Sequence, residues 1–74
     1  MNYMELARHQ KGWSQQRLAS DHQTQFDQPY ISMVERGAGL PTPEQRQRIA
    51  NALGIPAESL LEEVPSAAVV AERA

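Results

Sequence analysis

Ser14-Gln15-Gln16-Arg17-Leu18-Ala19-Ser20-Asp21-His22-Gln23-Thr24-Gln25-Phe26-Asp27-Gln28-Pro29-Tyr30-Ile31-Ser32-Met33-Val34-Glu35-Arg36-Gly37 is the stretch on which the fold turns. It contains two short segments with start signals, separated by a polar run. Ser14 is an N-cap type, although N3 holds Arg17 and not the acid of a capping box. The pattern predicts a helix from Gln15 to Ser20 with Leu18 and Ala19 facing inward. Trp13, just before the cap, is placed to staple against Leu18 or a neighbouring helix. Ser20 to Phe26 reads as a loop. Asp27 is a second N-cap, and Pro29 falls in a first turn, where a missing N–H costs little. A helix from Gln28 to Arg36 follows, with Tyr30, Ile31 and Val34 as its inner face and Gly37 as its stop.

The same punctuation extends outward in both directions. Upstream, Met4, Ala7 and Arg8 repeat at i, i+3, i+4, which predicts a helix from Asn2 to Gln10 closed by Gly12. Downstream, Thr42-Pro43-Glu44 combines an N-cap, a proline at N1 and an acid in the first turn. The helix it opens is expected to reach Leu53, with Ile49, Ala50 and Leu53 inward and Gly54 at its end. Pro56 opens a last short helix through Glu63 that carries Leu60 and Leu61. Strand signals are weak, with few β-branched residues and no hairpin dipeptide. The expectation is an all-α, compact five-helix domain whose second and third helices follow a helix-turn-helix plan. Residues 1–64 would form this domain, and 65–74 a C-terminal tail, frayed or used in an interaction.

Composition sets limits on chemistry. A chain of 74 residues has room for one modest core. Without cysteine there is no disulfide or thiolate zinc site, and His9 and His22 are too few for a metal cluster. No cofactor is expected. Neither a glycine-rich phosphate loop nor a spaced His–acid pair is present, so an enzyme is not expected. No apolar run spans a bilayer and the start is unlike a signal peptide, which makes a cytoplasmic protein the default. The net charge is −2, but residues 1–55 hold six basic and five acidic side chains, and the acid excess falls in residues 56–74. Affinity for a polyanion would have to come from a local patch.

Several blocks, taken together, resemble the XRE-type helix-turn-helix family, which includes phage repressors, restriction-modification controllers and many antitoxins. They are Ser14 to Ala19, Tyr30 to Gly37, Pro41-Thr42-Pro43, Ile49 to Ile55, and Leu60-Leu61, and the resemblance covers roughly residues 4–61. It implies that the third helix lies in the DNA major groove, with Gln28, Pro29, Ser32 and Met33 at the base-reading positions. Gln28 can bond adenine at N6 and N7, whereas Met33 offers apolar contact, for instance to a thymine methyl. Gln15 matches a phosphate contact, aided by the start of its helix, and Arg36 is suited to another phosphate. Arg8 and Glu35 match positions that pair in the family, and both also fall on inner helix faces. Two departures stand out. From Leu18 to Ile31 there are about two more residues than usual, and the usual turn glycine before Phe26 is missing. One turn before Arg8, Met4 and Glu5 occupy a normally basic position.

These readings predict a homodimeric, sequence-specific regulator bound to double-stranded DNA at a near-palindromic operator. Ile55, Leu60, Leu61 and Val64, with the Val69-Val70 stretch as an addition, form the expected dimer contact, because the surface is apolar and the core small. The alternative is a protein-binding module on the same fold, an antitoxin or an adaptor; a linker role for residues 66–74 is a third reading. Arg46 and Arg48 serve either solubility or phosphate contact. His9, His22, Glu62 and Glu63 are read as surface residues. Whether Gln23, Thr24 or Gln25 reaches the DNA backbone is left open by sequence.

Overall fold

The computed structural model describes residues 1–65. Four α-helices follow one another: α1 (Tyr3–Gln10), α2 (Gln15–Ser20), α3 (Gln28–Glu35) and α4 (Pro43–Leu53), then a single 3₁₀ turn at Ala57–Ser59. The caps explain the starts. Asn2, Ser14, Asp27 and Thr42 each accept, on a side-chain oxygen, the amide three residues on. At Thr42 the cap is reciprocal: Gln45 N donates to Thr42 Oγ1 at 3.2 Å and Gln45 Oε1 accepts from Thr42 N at 2.9 Å. The same Gln45 Oε1 accepts the Tyr30 hydroxyl at 2.9 Å, which ties α3 to the start of α4. At the far end of α4, Gly54 takes the left-handed conformation (φ 72°) that ends the helix.

One core unites these elements. Met4, Leu18, Ile31, Val34, Ile49 and Leu60 are completely buried. Each comes from a different helix or turn, apart from the α3 pair Ile31 and Val34. Removing Leu18 to alanine should cost about 2–5 kcal/mol by transfer and cavity terms together. Trp13, Phe26, Tyr30, Ile55 and Leu61 pack around the margin, half-buried.

The fifth helix expected from Pro56 to Glu63 is not formed. Only Ala57–Ser59 is helical, and as a 3₁₀ turn. The reason lies at long range. The carbonyls of Leu60 and Glu62 are taken by the free amides at the start of α1, Met4 N and Tyr3 N, both at 3.0 Å. Val64 N donates to Met1 O at 2.9 Å, and Asn2 and Glu63 form an antiparallel bridge. The segment therefore folds in turns against the N-terminus and satisfies donors that a helix start leaves open. It also draws Leu60 (0 % exposed) and Val64 (7 %) inside the subunit. Of the four expected dimer residues, Leu60 and Val64 are thus withdrawn. Val69-Val70 and the linker reading lie outside the described residues.

Candidate nucleic-acid interface

α2 and α3 pack more closely than any other pair of helices. They are joined by the longer-than-usual turn, which Asp21 organises. Its Oδ2 accepts Gln23 N at 3.1 Å, its carbonyl accepts Thr24 N and Gln25 N, and its Oδ1 takes Arg17 Nη1 at 2.9 Å. The two bonds to the carboxylate, from Arg17 first and then from the Gln23 amide, hold the Asp21 carboxyl below its ordinary range. Phe26 N then returns to Ala19 O at 2.9 Å, so the extra residues loop out and the chain rejoins α2. Just before Phe26, where the family pattern has glycine, Gln25 sits at φ +55°. Of the three turn residues weighed for DNA contact, Thr24 is fully buried and so cannot serve, while Gln23 and Gln25 are exposed.

The centre of the site is a chain of hydrogen bonds through three helices. Arg8 of α1 and Glu35 of α3 pair as a fork, Nε to Oε2 at 2.7 Å and Nη2 to Oε1 at 3.1 Å. Their side chains are 8 % and 3 % exposed. Arg8 Nη1 reaches Trp13 O at 2.8 Å, and Nη2 also lies 3.4 Å from His9 Nε2. Gln15 Nε2, from α2, donates to Glu35 Oε1 at 3.1 Å. Gln28 Nε2, from the start of α3, donates to Gln15 Oε1 at 2.7 Å. The expected Arg8–Glu35 pair and two residues expected at the DNA, Gln15 and Gln28, are therefore brought into one network. Its inner end is an ion pair that orients α1 against α3, and its outer end is the half-buried Gln28.

The other α3 residues stand apart from this chain. Pro29 is exposed at the helix start and Ser32 is half-buried. Met33, 37 % exposed, lies against Gly39, where an added Cβ would meet its Cε at 3.4 Å. Arg36 is the C-cap of α3, is exposed, and bonds Ser32 O through Nε at 3.3 Å. Ile55 and Leu61 are half-buried.

A basic cluster beside α2 was missed in the sequence reading. Arg17 Cζ lies 4.1 Å and Lys11 Nζ 5.1 Å from the Trp13 ring centroid, so both cations gather at one indole just before the helix. The signal was present as two basic residues flanking a tryptophan, two before and four after. On α4, Arg48 lies over Phe26 at 5.6 Å, and Arg46 is half-buried, so neither side chain is simply a solvated charge.

A helix-turn-helix family matches residues 4–60. The chain belongs to this family and is a DNA-binding regulator of the XRE kind. The family is a DNA-binding regulatory one and not a family of enzymes. No curated protein and no solved structure matches the chain. Among the described residues, no helix is long and apolar enough to cross a membrane.

Proposed function

We propose that the protein binds a near-palindromic operator as a homodimer and controls transcription from it, with α3 of each subunit in a major groove. The observation that carries this reading is Gln28. It is half-buried at the start of α3 and anchored by Gln15 to a buried ion pair. A glutamine held there has the donor and acceptor needed for adenine N7 and N6. Pro29, Ser32 and Met33 complete the reading face. Gln15, Arg36, Lys11 and Arg17 supply backbone contacts, whose counterion release makes binding fall with salt. Two copies would present their α3 helices about 34 Å apart, one turn of the duplex. With Leu60 and Val64 inside the subunit, Ile55 and Leu61 remain as the apolar contact for a second copy.

The test is an electrophoretic mobility shift with DNA from upstream of the protein's own gene, at two salt concentrations. A shift that resists nonspecific competitor and weakens with salt is expected. Sedimentation at tens of micromolar should give a dimer; monomer alone at that concentration would remove the homodimer from the proposal. The exposed acids Glu58, Glu62 and Glu63 at the end of the domain favour a second reading, a protein partner such as a toxin or another regulator. Folded protein that shifts no DNA but retains a protein partner would establish that reading instead.

A further inference from the structure

We infer that Glu35, which touches no DNA in the proposed docking, sets the base preference of Gln28 by fixing which way two side-chain amides point. The inference rests on the proposed DNA-binding reading. A carboxylate only accepts hydrogen bonds. Glu35 Oε1 faces Gln15 at 3.1 Å, so Gln15 must turn its NH₂ group inward. A reversed amide would set oxygen against oxygen in a site where Glu35 is 3 % exposed. With its NH₂ inward, Gln15 offers only Oε1 to Gln28, and Gln28 must answer with Nε2, as it does at 2.7 Å. The Gln28 Oε1 and its second N–H are then left for a ligand. One acceptor beside one donor is the pattern that adenine complements through N6–H and N7, and that guanine, with two acceptors there, does not. Arg8 closes the system at its inner end. Its fork occupies both carboxylate oxygens, which keeps the group from turning away.

Reversal is built into the same argument. In a Glu35→Gln variant one of the two oxygens that Arg8 and Gln15 share becomes an NH₂ group, so the acceptor-only group that fixed the Gln15 amide is gone. With that NH₂ group at the Oε1 position, each following amide reverses, and Gln28 is held by its oxygen. Gln15→Lys does the same from the surface side, since an ammonium can only donate: it satisfies Glu35 and takes the Gln28 oxygen. Glu35 is thus a positioning residue for specificity, and its role is separable from its contribution to folding. A loss of folded protein lowers affinity for all DNA alike and leaves the ratio between two sequences unchanged.

The experiment is selection from a random-sequence duplex pool with wild type, Q28A, E35Q and Q15K, each checked for folding by circular dichroism. Kd ratios are then measured on duplexes differing at the one position that Q28A relaxes. Wild type should prefer adenine there by roughly 5- to 150-fold, the range for a good bidentate contact. In Q15K the preference should fall below about threefold or pass to another base, and in E35Q it should weaken, while the salt-dependent binding carried by Lys11, Arg17 and Arg36 persists. If E35Q does not fold, Q15K decides. Folded Q15K with the wild-type preference intact would overturn the inference. Failure of wild type to enrich any sequence would instead remove the DNA-binding reading on which it stands.

Discussion

Two arginine–carboxylate pairs lie within this small domain, and they are built to different ends. Arg8–Glu35 joins α1 to α3, with both side chains buried, every guanidinium nitrogen donating and both carboxylate oxygens accepting. Arg17–Asp21 spans i to i+4, with the acid buried but the arginine side chain 51 % exposed. The first has no water to replace a missing partner. The second has solvent around its arginine and the Gln23 amide on its acid. The acid in each case also serves a second donor: Glu35 accepts from Gln15, twenty residues away on α2, and Asp21 accepts the Gln23 amide in its own turn. The difference is one of substitutability. A buried pair is costly to break because one charge is stranded, whereas an exposed pair contributes little by itself.

Glu35→Ala is the harshest test of the contrast. It strands the Arg8 guanidinium and should lower unfolding free energy by about 3–5 kcal/mol, read from urea denaturation. A loss near 1 kcal/mol would place the two pairs in the same class. Gln28→Ala acts at the outer end of the same network and should spare stability. Its effect should appear as about 1–3 kcal/mol of lost specific DNA affinity in competition binding. Asp21→Asn tests the other pair and should cost about 1 kcal/mol by thermal denaturation near neutral pH. Its pH dependence is the more telling reading. The folded-state pKa of Asp21 lies below the ordinary 3.8, so its contribution is full above that value. It is lost as pH falls through the lower folded-state value, and the Tm gap between wild type and D21N should close there. The smallest effect belongs to Gln25→Gly. A non-glycine residue at φ +55° costs about 1–2 kcal/mol, partly offset by the greater freedom of unfolded glycine, so a net gain of roughly 0.5 kcal/mol is expected in Tm measurements.

What the sequence made legible follows from range. Ser14, Asp27 and Thr42 announce their helices through bonds three residues away, and α2 begins and ends where its letters say. Asn2 proved to be a cap and not the first helical residue, and Arg36 likewise closes α3. The last segment was misread because helix propensity is local, while the carbonyls of Leu60 and Glu62 answer to Met4 and Tyr3 at the other end of the chain. The apolar residues there were correctly seen as needing cover; for Leu60 and Val64 the cover is their own subunit. At the site, the residue types of Gln15, Gln28, Arg8 and Glu35 were readable one by one. The Arg8–Glu35 pair was also readable, but its extension through Gln15 to Gln28 was not, since it depends on how three helices meet. The longer turn was visible as a count of residues, but its solution, an aspartate-centred loop and a glutamine in a glycine's conformation, required coordinates.

The pairing of Met1 with Val64 also has a consequence for the chain as a piece of string. Its described ends lie side by side, so the domain is nearly a closed ring with one cut. A few flexible residues linking Val64 to Met1 would complete the ring, and a new cut at Leu40, 88 % exposed, would open it between α3 and α4. Such a permuted chain should fold to the same core with its sequence order rearranged. By the same geometry, the whole domain can be seated within a surface loop of another protein without prising that loop apart.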